Sequence, residues 1–237
     1  MHKDMLLGFS TGCLHKTHDR LSPATFDLFR RIGANAIELM VHDFEAAHRL
    51  LALVPEDFLF FEYISIHAPF FDPFNAEEIN KFREVLEIFE KFGKKVRINA
   101  VVLNPECIRD AEFFLTYDLP FKLENMDWEN DVGKYTESMQ ALFEKFDVPM
   151  VLDLNHCFTN DPTMHLAKEM SETFGGRIEE IHLSGFETSH ELLYKTQQRE
   201  ILDAIPDKRL PIIIESECEN MNDARKEFEY IKSFLEA

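Results

Sequence analysis

The chain has 237 residues, enough to bury about 70–75% of the surface its unfolded form exposes, so its core needs no disulfide or metal staple. Hydrophobic residues make up 45% and charged residues 29%, an ordinary globular balance, and 23 Phe against one Trp mark Phe as the main large core residue. The formal net charge of −19 leaves no basic footprint, which argues against nucleic-acid and anionic-membrane partners.

Four cysteines, Cys13, Cys107, Cys157 and Cys218, stand far apart with no C-x-x-C pair. That spacing excludes a disulfide framework and a cysteine-based zinc site. The stretch from Met1 to Gly8 is too short an apolar run for a signal peptide core. No run approaches the roughly 20 apolar residues of a membrane helix. The expectation is a cytoplasmic protein.

Taken in chain order, short apolar runs of β type alternate with longer amphipathic stretches. Residues 6–11 form the first strand candidate. Ser22-Pro23 then opens a helix, Ser as N-cap and Pro at the first helical position, and the helix runs through Phe26, Leu28 and Phe29 to a terminating Gly33. Strands are expected at 36–40 and 63–67, followed by a helix over 76–92 that carries Phe82, Leu86, Phe89 and Phe92 and is closed by Gly93. Strands at 99–103 and 121–125 precede a helix at 135–146. A strand at 150–154 precedes a helix at 164–174, which ends at Gly175-Gly176. The last strands are 178–183 and 211–215, before a final helix over 220–235 with Ala224, Phe228, Ile231 and Phe234 on one face.

This makes eight strands with amphipathic stretches between them, read as eight β-then-α units averaging about 30 residues each. Buried parallel strands read as short apolar runs of this kind. No Gly-rich phosphate turn and no linker interrupts the alternation. The expectation is an α/β fold, one (β/α)₈ TIM barrel spanning residues 1–237.

Polar residues end most of the strand runs: Glu38, His67, Asn104, Glu124, Asp153, His182 and Glu215. The last four are spaced 29, 29 and 33 residues apart, one βα unit each time. Equal positions on successive barrel strands sit at similar heights, and the C-terminal rim is where barrel active sites form. Three carboxylates and an imidazole so gathered repel unless a cation compensates. Mostly oxygen ligands with one His suit Mn²⁺, Mg²⁺ or Co²⁺, with Zn²⁺ also accommodated. The bland alternative is that each residue ends its strand in solvent. His156 stands three residues past Asp153, and His190 eight past His182. His2, His15, His18, His42, His48 and His165 lack such context.

The series Ile37-Glu38-Leu39, Ser65-Ile66-His67-Ala68-Pro69, Leu123-Glu124-Asn125, Asp153-Leu154-Asn155-His156, Ile181-His182-Leu183-Ser184 and Ile214-Glu215 resembles the xylose isomerase-like barrel superfamily. That group holds sugar isomerases and epimerases and the endonuclease IV-type apurinic endonucleases. The epimerase resemblance implies a divalent metal, Mn or Zn before Mg or Co, held by Glu124, Asp153, His182 and Glu215. It also implies that Glu124 and Glu215 exchange protons with the carbon beside a carbonyl. His67, Asn104, His156, His190 and Glu38 form the surrounding set, as substrate contacts or ligands of a second metal. The endonuclease branch has a three-zinc cluster. There the sequence departs: Asn104 stands for a histidine, and Thr188-Ser189-His190 keeps only the histidine of an Asp-x-His pair. The epimerases often carry an Arg after the strand-seven His, absent from 184–189 here.

The leading expectation is therefore a metal-dependent isomerase or epimerase of a small, sugar-like carbonyl compound. The alternatives are an endonuclease IV-like phosphoesterase and a non-catalytic ligand-binding barrel. Phe70, Phe71 and Phe74 could wall a ligand, form a homodimer contact or simply pack as a loop. Trp128 reads equally as a sugar-stacking face or as packing, and Glu217 as a solvated rim residue. Cys157 has no activating neighbour and is not read as a nucleophile.

Overall fold

The computed structural model describes residues 5–237, so the start at 1–4, with His2, lies outside the described residues. Eight parallel strands close into a barrel: β1 (Leu7–Ser10), β2 (Ala36–Met40), β3 (Tyr63–His67), β4 (Ala100–Leu103), β5 (Phe121–Glu124), β6 (Met150–Asp153), β7 (Ile178–Leu183) and β8 (Ile212–Ile214). Each pairs with the next in sequence, and β8 returns to β1 with Leu7 opposite Ile212. The fold class expected from the alternation is the one found.

The helices are α1 (Pro23–Ile32), α2 (Phe44–Arg49), α3 (Ala76–Gly93), α4 (Ala111–Phe114), α5 (Thr136–Phe143), α6 (Leu154–Asn160), α7 (His165–Phe174), α8 (Leu193–Thr196), α9 (Arg199–Asp203) and α10 (Met221–Glu236). Their starts follow capping chemistry. Ser22 accepts from the Thr25 amide with Pro23 just inside α1, and Asn75 and Asn220 cap α3 and α10 through their side chains. Gly33 ends α1 at φ 105°, a left-handed position that L side chains resist. Gly93 does not terminate α3 as expected. It stays helical, and Lys94 closes the helix with its amide on the Glu90 carbonyl. None of these helices is long and apolar enough to cross a membrane, among the described residues.

Strand side chains alternate between two faces. One face packs against the helices in a Phe-rich layer: Phe9 stacks on Phe29 at 4.7 Å, Phe71 on Phe82 at 4.1 Å, and Phe114 meets Phe82, Phe121 and Phe146. Each such ring contributes roughly 1.5–3 kcal/mol by burial. The other face fills the barrel, where Leu6, Ala36, Tyr63, Ala100, Val102, Val151 and Ile213 form a smaller apolar cluster. Glu38, His67 and Asp153 share that inward parity, each an even number of residues from an inward neighbour on its strand, and Lys122 and Glu124 of β5 reach inward to Tyr63 and His182.

Two local features set the register. Any side chain at Gly8 would meet the Ala36 carbonyl oxygen at 1.7 Å, so β1 approaches β2 only as glycine. Strand β7 carries an extra residue: Met150 pairs with Ile178 but Val151 with Glu180. The bulge leaves Glu179 exposed to solvent and both Glu180 and His182 facing into the barrel.

Candidate metal centre

Four strand ends deliver four side chains to one point. Glu124 ends β5, Asp153 ends β6, His182 lies one residue before the end of β7, and Glu215 follows β8 with its amide on the Leu183 carbonyl. Each offers a donor atom, and these atoms lie within 4.8 Å of one another. His182 Nδ1 donates to Glu124 Oε1 at 2.6 Å and stands 3.5 Å from Glu215 Oε2. Asp153 serves twice. Its Oδ1 caps α6 by accepting from the His156 amide at 2.9 Å, while its buried Oδ2 has no hydrogen-bond partner. Asn125 braces this corner, its side chain bonding both the amide and the carbonyl of Asp153.

The cluster is nearly dry, with only Glu215 partly exposed. No lysine or arginine among the described residues pairs with any of the four; the cations within 4 Å are histidines. Burial raises the Glu124 carboxyl, but the charges and hydrogen bonds of His182 and His67 outweigh it and hold the group well below the usual range. Burial likewise opposes Glu215, which His182 draws down to about 2. Asp153 is raised by burial to about 6 despite the nearby His156. Burial lowers the histidines, yet the surrounding carboxylates lift His67 to about 10, His156 to about 9 and His182 well above its ordinary value. Protons on imidazoles are thus the only local answer to three carboxylates. A divalent cation answers the same charge and displaces those protons. Three oxygen donors, one imidazole nitrogen and the orphaned Asp153 Oδ2 fit such an ion.

The other candidate residues divide. His67 Nε2 lies 3.2 Å from Glu124 Oε2. His156 donates through Nδ1 to the Asn125 carbonyl at 2.7 Å, which leaves Nε2 free. His190 meets Ser184 Oγ at 3.0 Å and faces His156 edge-on at 6.0 Å between centroids. Its loop is closed by the Gly185–Glu191 bridge, and the Glu191 carboxylate gathers the amides of 187–189. Asn104 follows β4 with a buried, unpartnered Oδ1 and makes no hydrogen bond to the four. Glu38 is wholly buried on the far side of His182, so a molecule arriving at the rim meets the imidazole first. With Glu180 and His182 it forms a second group of possible metal donors.

Two charged residues escaped the sequence reading. Glu180 accepts from Tyr63 Oη at 2.8 Å, and Lys122 donates to the same Tyr63 oxygen at 2.9 Å while standing 3.6 Å from Glu180 Oε2. The available signal was parity. Lys122 precedes Glu124 by two residues and Glu180 precedes His182 by two, so each shares its neighbour's inward face.

Of the remaining candidates, Phe71 is buried against Phe82, whereas Phe70, Phe74 and Trp128 are exposed. Glu217 pairs with Lys16 at the surface. All four cysteines are free and buried, and burial pushes the Cys157 thiol far up, away from a reactive thiolate.

No protein-family model and no curated protein matches the chain. Solved structures do match in fold. Endonuclease IV from Thermus thermophilus superimposes with a TM-score of 0.70 at 16% identity, covering 97% of this chain and 98% of that one. A xylose isomerase domain-containing protein from Salmonella typhimurium gives 0.63 at 16% identity, covering 99% and 98%. An L-ribulose 3-epimerase gives 0.66 at 13% identity, covering 99% and 95%. The barrel is thus the one shared by endonuclease IV and the xylose isomerase-like proteins.

Proposed function

We propose that this protein is a divalent-metal-dependent isomerase or epimerase of a small polyhydroxylated carbonyl compound. The observation that carries the reading is the pairing of two carboxylates, Glu124 and Glu215, from strands on opposite sides of His182 and Asp153, around one set of metal donors. The residues that would hold the ion are Glu124, Asp153, His182 and Glu215. Bound there, it supplies positive charge opposite the substrate oxygens on which negative charge develops.

Proton transfer then falls to the two glutamates. A carboxylate held as an anion by its histidine neighbours accepts a proton from the carbon beside a carbonyl. In an isomerisation that same group, now protonated, returns it to the next carbon. In an epimerisation the second glutamate, protonated from solvent, delivers one to the opposite face. His67 and the free Nε2 of His156 offer polar contacts for hydroxyl groups at the edge of the centre. Trp128, exposed on the loop after β5, offers an apolar face of the kind that covers a sugar ring.

One observation favours a phosphoester-cleaving reading: His156 and His190 face each other beside Asp153, a second grouping of nitrogen donors. Against it stand Asn104 on the fourth strand and the −19 charge. Metal stoichiometry separates the two. The proposed function expects about one ion per chain and deuterium uptake beside the carbonyl when metal-loaded protein meets a ketose and aldose panel in D₂O. Two or three zinc ions per chain, with no exchange on any sugar, would sink it.

A further inference from the structure

The two ring nitrogens of His182 meet different surroundings. Nδ1 faces Glu124 and Glu215 in the proposed centre. Nε2 faces down the barrel, 3.2 Å from Glu38 Oε2 and 3.7 Å from Glu180 Oε1. The Glu38 contact is off the line of an aligned hydrogen bond, and neither Glu38 oxygen nor Nε2 has any other hydrogen-bond partner. All three residues are completely buried.

An imidazole that gives Nδ1 to a metal keeps its proton on Nε2, and a buried N–H needs an acceptor. Glu180 is held through Oε2 by Tyr63 and Lys122, while its Oε1 stands 3.7 Å from Nε2 without a partner. Glu38 has neither oxygen engaged and, at 3.2 Å, is the nearer of the two. Turning the ring over would set carbon atoms against Glu124 and Glu38, so acids on both sides select the observed orientation.

We infer that Glu38 is the positioning residue of the centre. It accepts the Nε2 proton of His182, fixes the tautomer and aims the Nδ1 lone pair at the metal, while Glu180, backed by Lys122 and Tyr63, walls the other side. A carboxylate behind a ligating histidine raises the basicity of the ligand and steadies its ring. The inference rests on the metal-centre reading.

The test uses the full chain with Mn²⁺ and Zn²⁺. Mn²⁺ affinity is titrated for the parent, Glu38→Gln, Glu38→Leu and, as a control on the centre itself, Glu215→Gln. Glu38→Leu should weaken binding by about 100-fold, and Glu38→Gln, which still accepts a hydrogen bond, by nearer 10-fold. The second readout is histidine ¹⁵N NMR of the Zn²⁺-loaded parent, which does not depend on a variant folding. It should show His182 bound through Nδ1 with a slowly exchanging proton on Nε2. Unchanged affinity in both Glu38 variants, or coordination through Nε2, overturns the inference while the centre stands. A parent that binds no metal removes the centre and the inference together.

Discussion

Asp153 and His182 are register partners across β6 and β7, and both are wholly buried. Their alignment depends on the bulge at Glu179. If the pairing ran on regularly from Met150–Ile178, His182 would sit one position further along and face the helices. The same bulge brings Glu180 inward beneath His182. One irregularity in one strand therefore orders both the rim cluster and the acidic pocket below it.

Removing a carboxylate from that rim tests the centre directly. Glu215→Gln keeps the shape of the side chain and removes its charge. Metal affinity should fall by more than the roughly 10–100-fold expected of an outer partner. Deuterium exchange into any active sugar should be lost as well. Elemental analysis after dialysis, beside an exchange assay, reads both effects; parent-like values in each would mean the centre is misassigned.

The protonation of the cluster sets a pH dependence in EDTA-treated protein. His67 and His156 rise from 6.5 to about 10 and about 9, so the stability they contribute is complete below pH 6.5 and is lost between 6.5 and 10. Glu215 falls from 4.5 to about 2, so its contribution is present above pH 4.5 and is lost as pH drops towards 2. Melting temperature should therefore decline from pH 7 to 10. Added Mn²⁺ should oppose that decline, and its affinity should rise with pH as protons stop competing. Thermal scans across this range, with and without the ion, check both trends.

Much of this geometry was legible because buried parallel strands read as apolar runs, and the polar residue ending each run marks its height in the barrel. The runs at 36–40, 63–67 and 178–183 match the strands to the residue. The first overshoots because Thr11 leaves the ladder and its hydroxyl accepts from the Met40 amide. Short pieces such as α4 carry too few turns for a periodic signal. Lys122 and Glu180 stayed hidden because a charged residue within a strand usually faces water. The close approach at Gly8 depends on a partner 28 residues away in sequence.

That approach gives a structural prediction. Gly8→Ala forces a methyl group into the Ala36 carbonyl, and backbone atoms cannot swing aside as a side-chain end can. The substitution should cost at least about 3 kcal/mol, the upper end for overpacking. Urea unfolding measures it, and a loss below about 1 kcal/mol would show that β1 and β2 separate easily.

Lys122 and Glu180 form an ion pair 3.6 Å apart, and both side chains are at least 96% buried. Removing one partner from such a pair strands the other charge, at a typical cost of about 3–5 kcal/mol, whereas removing both can be nearly neutral. Lys122→Met should therefore destabilise strongly, since Glu180 would keep only the Tyr63 hydroxyl and His182 against its charge. Lys122→Met with Glu180→Gln should recover most of the loss, and the double-mutant cycle should give a coupling energy of at least about 2 kcal/mol. Glu179 complicates the cycle little. It also lies 3.5 Å from Lys122, but its side chain is 54% exposed, so water screens it whichever variant is present. Additive losses from the two single changes would mean that the lysine neutralises the barrel interior as a whole and is not a specific partner of Glu180.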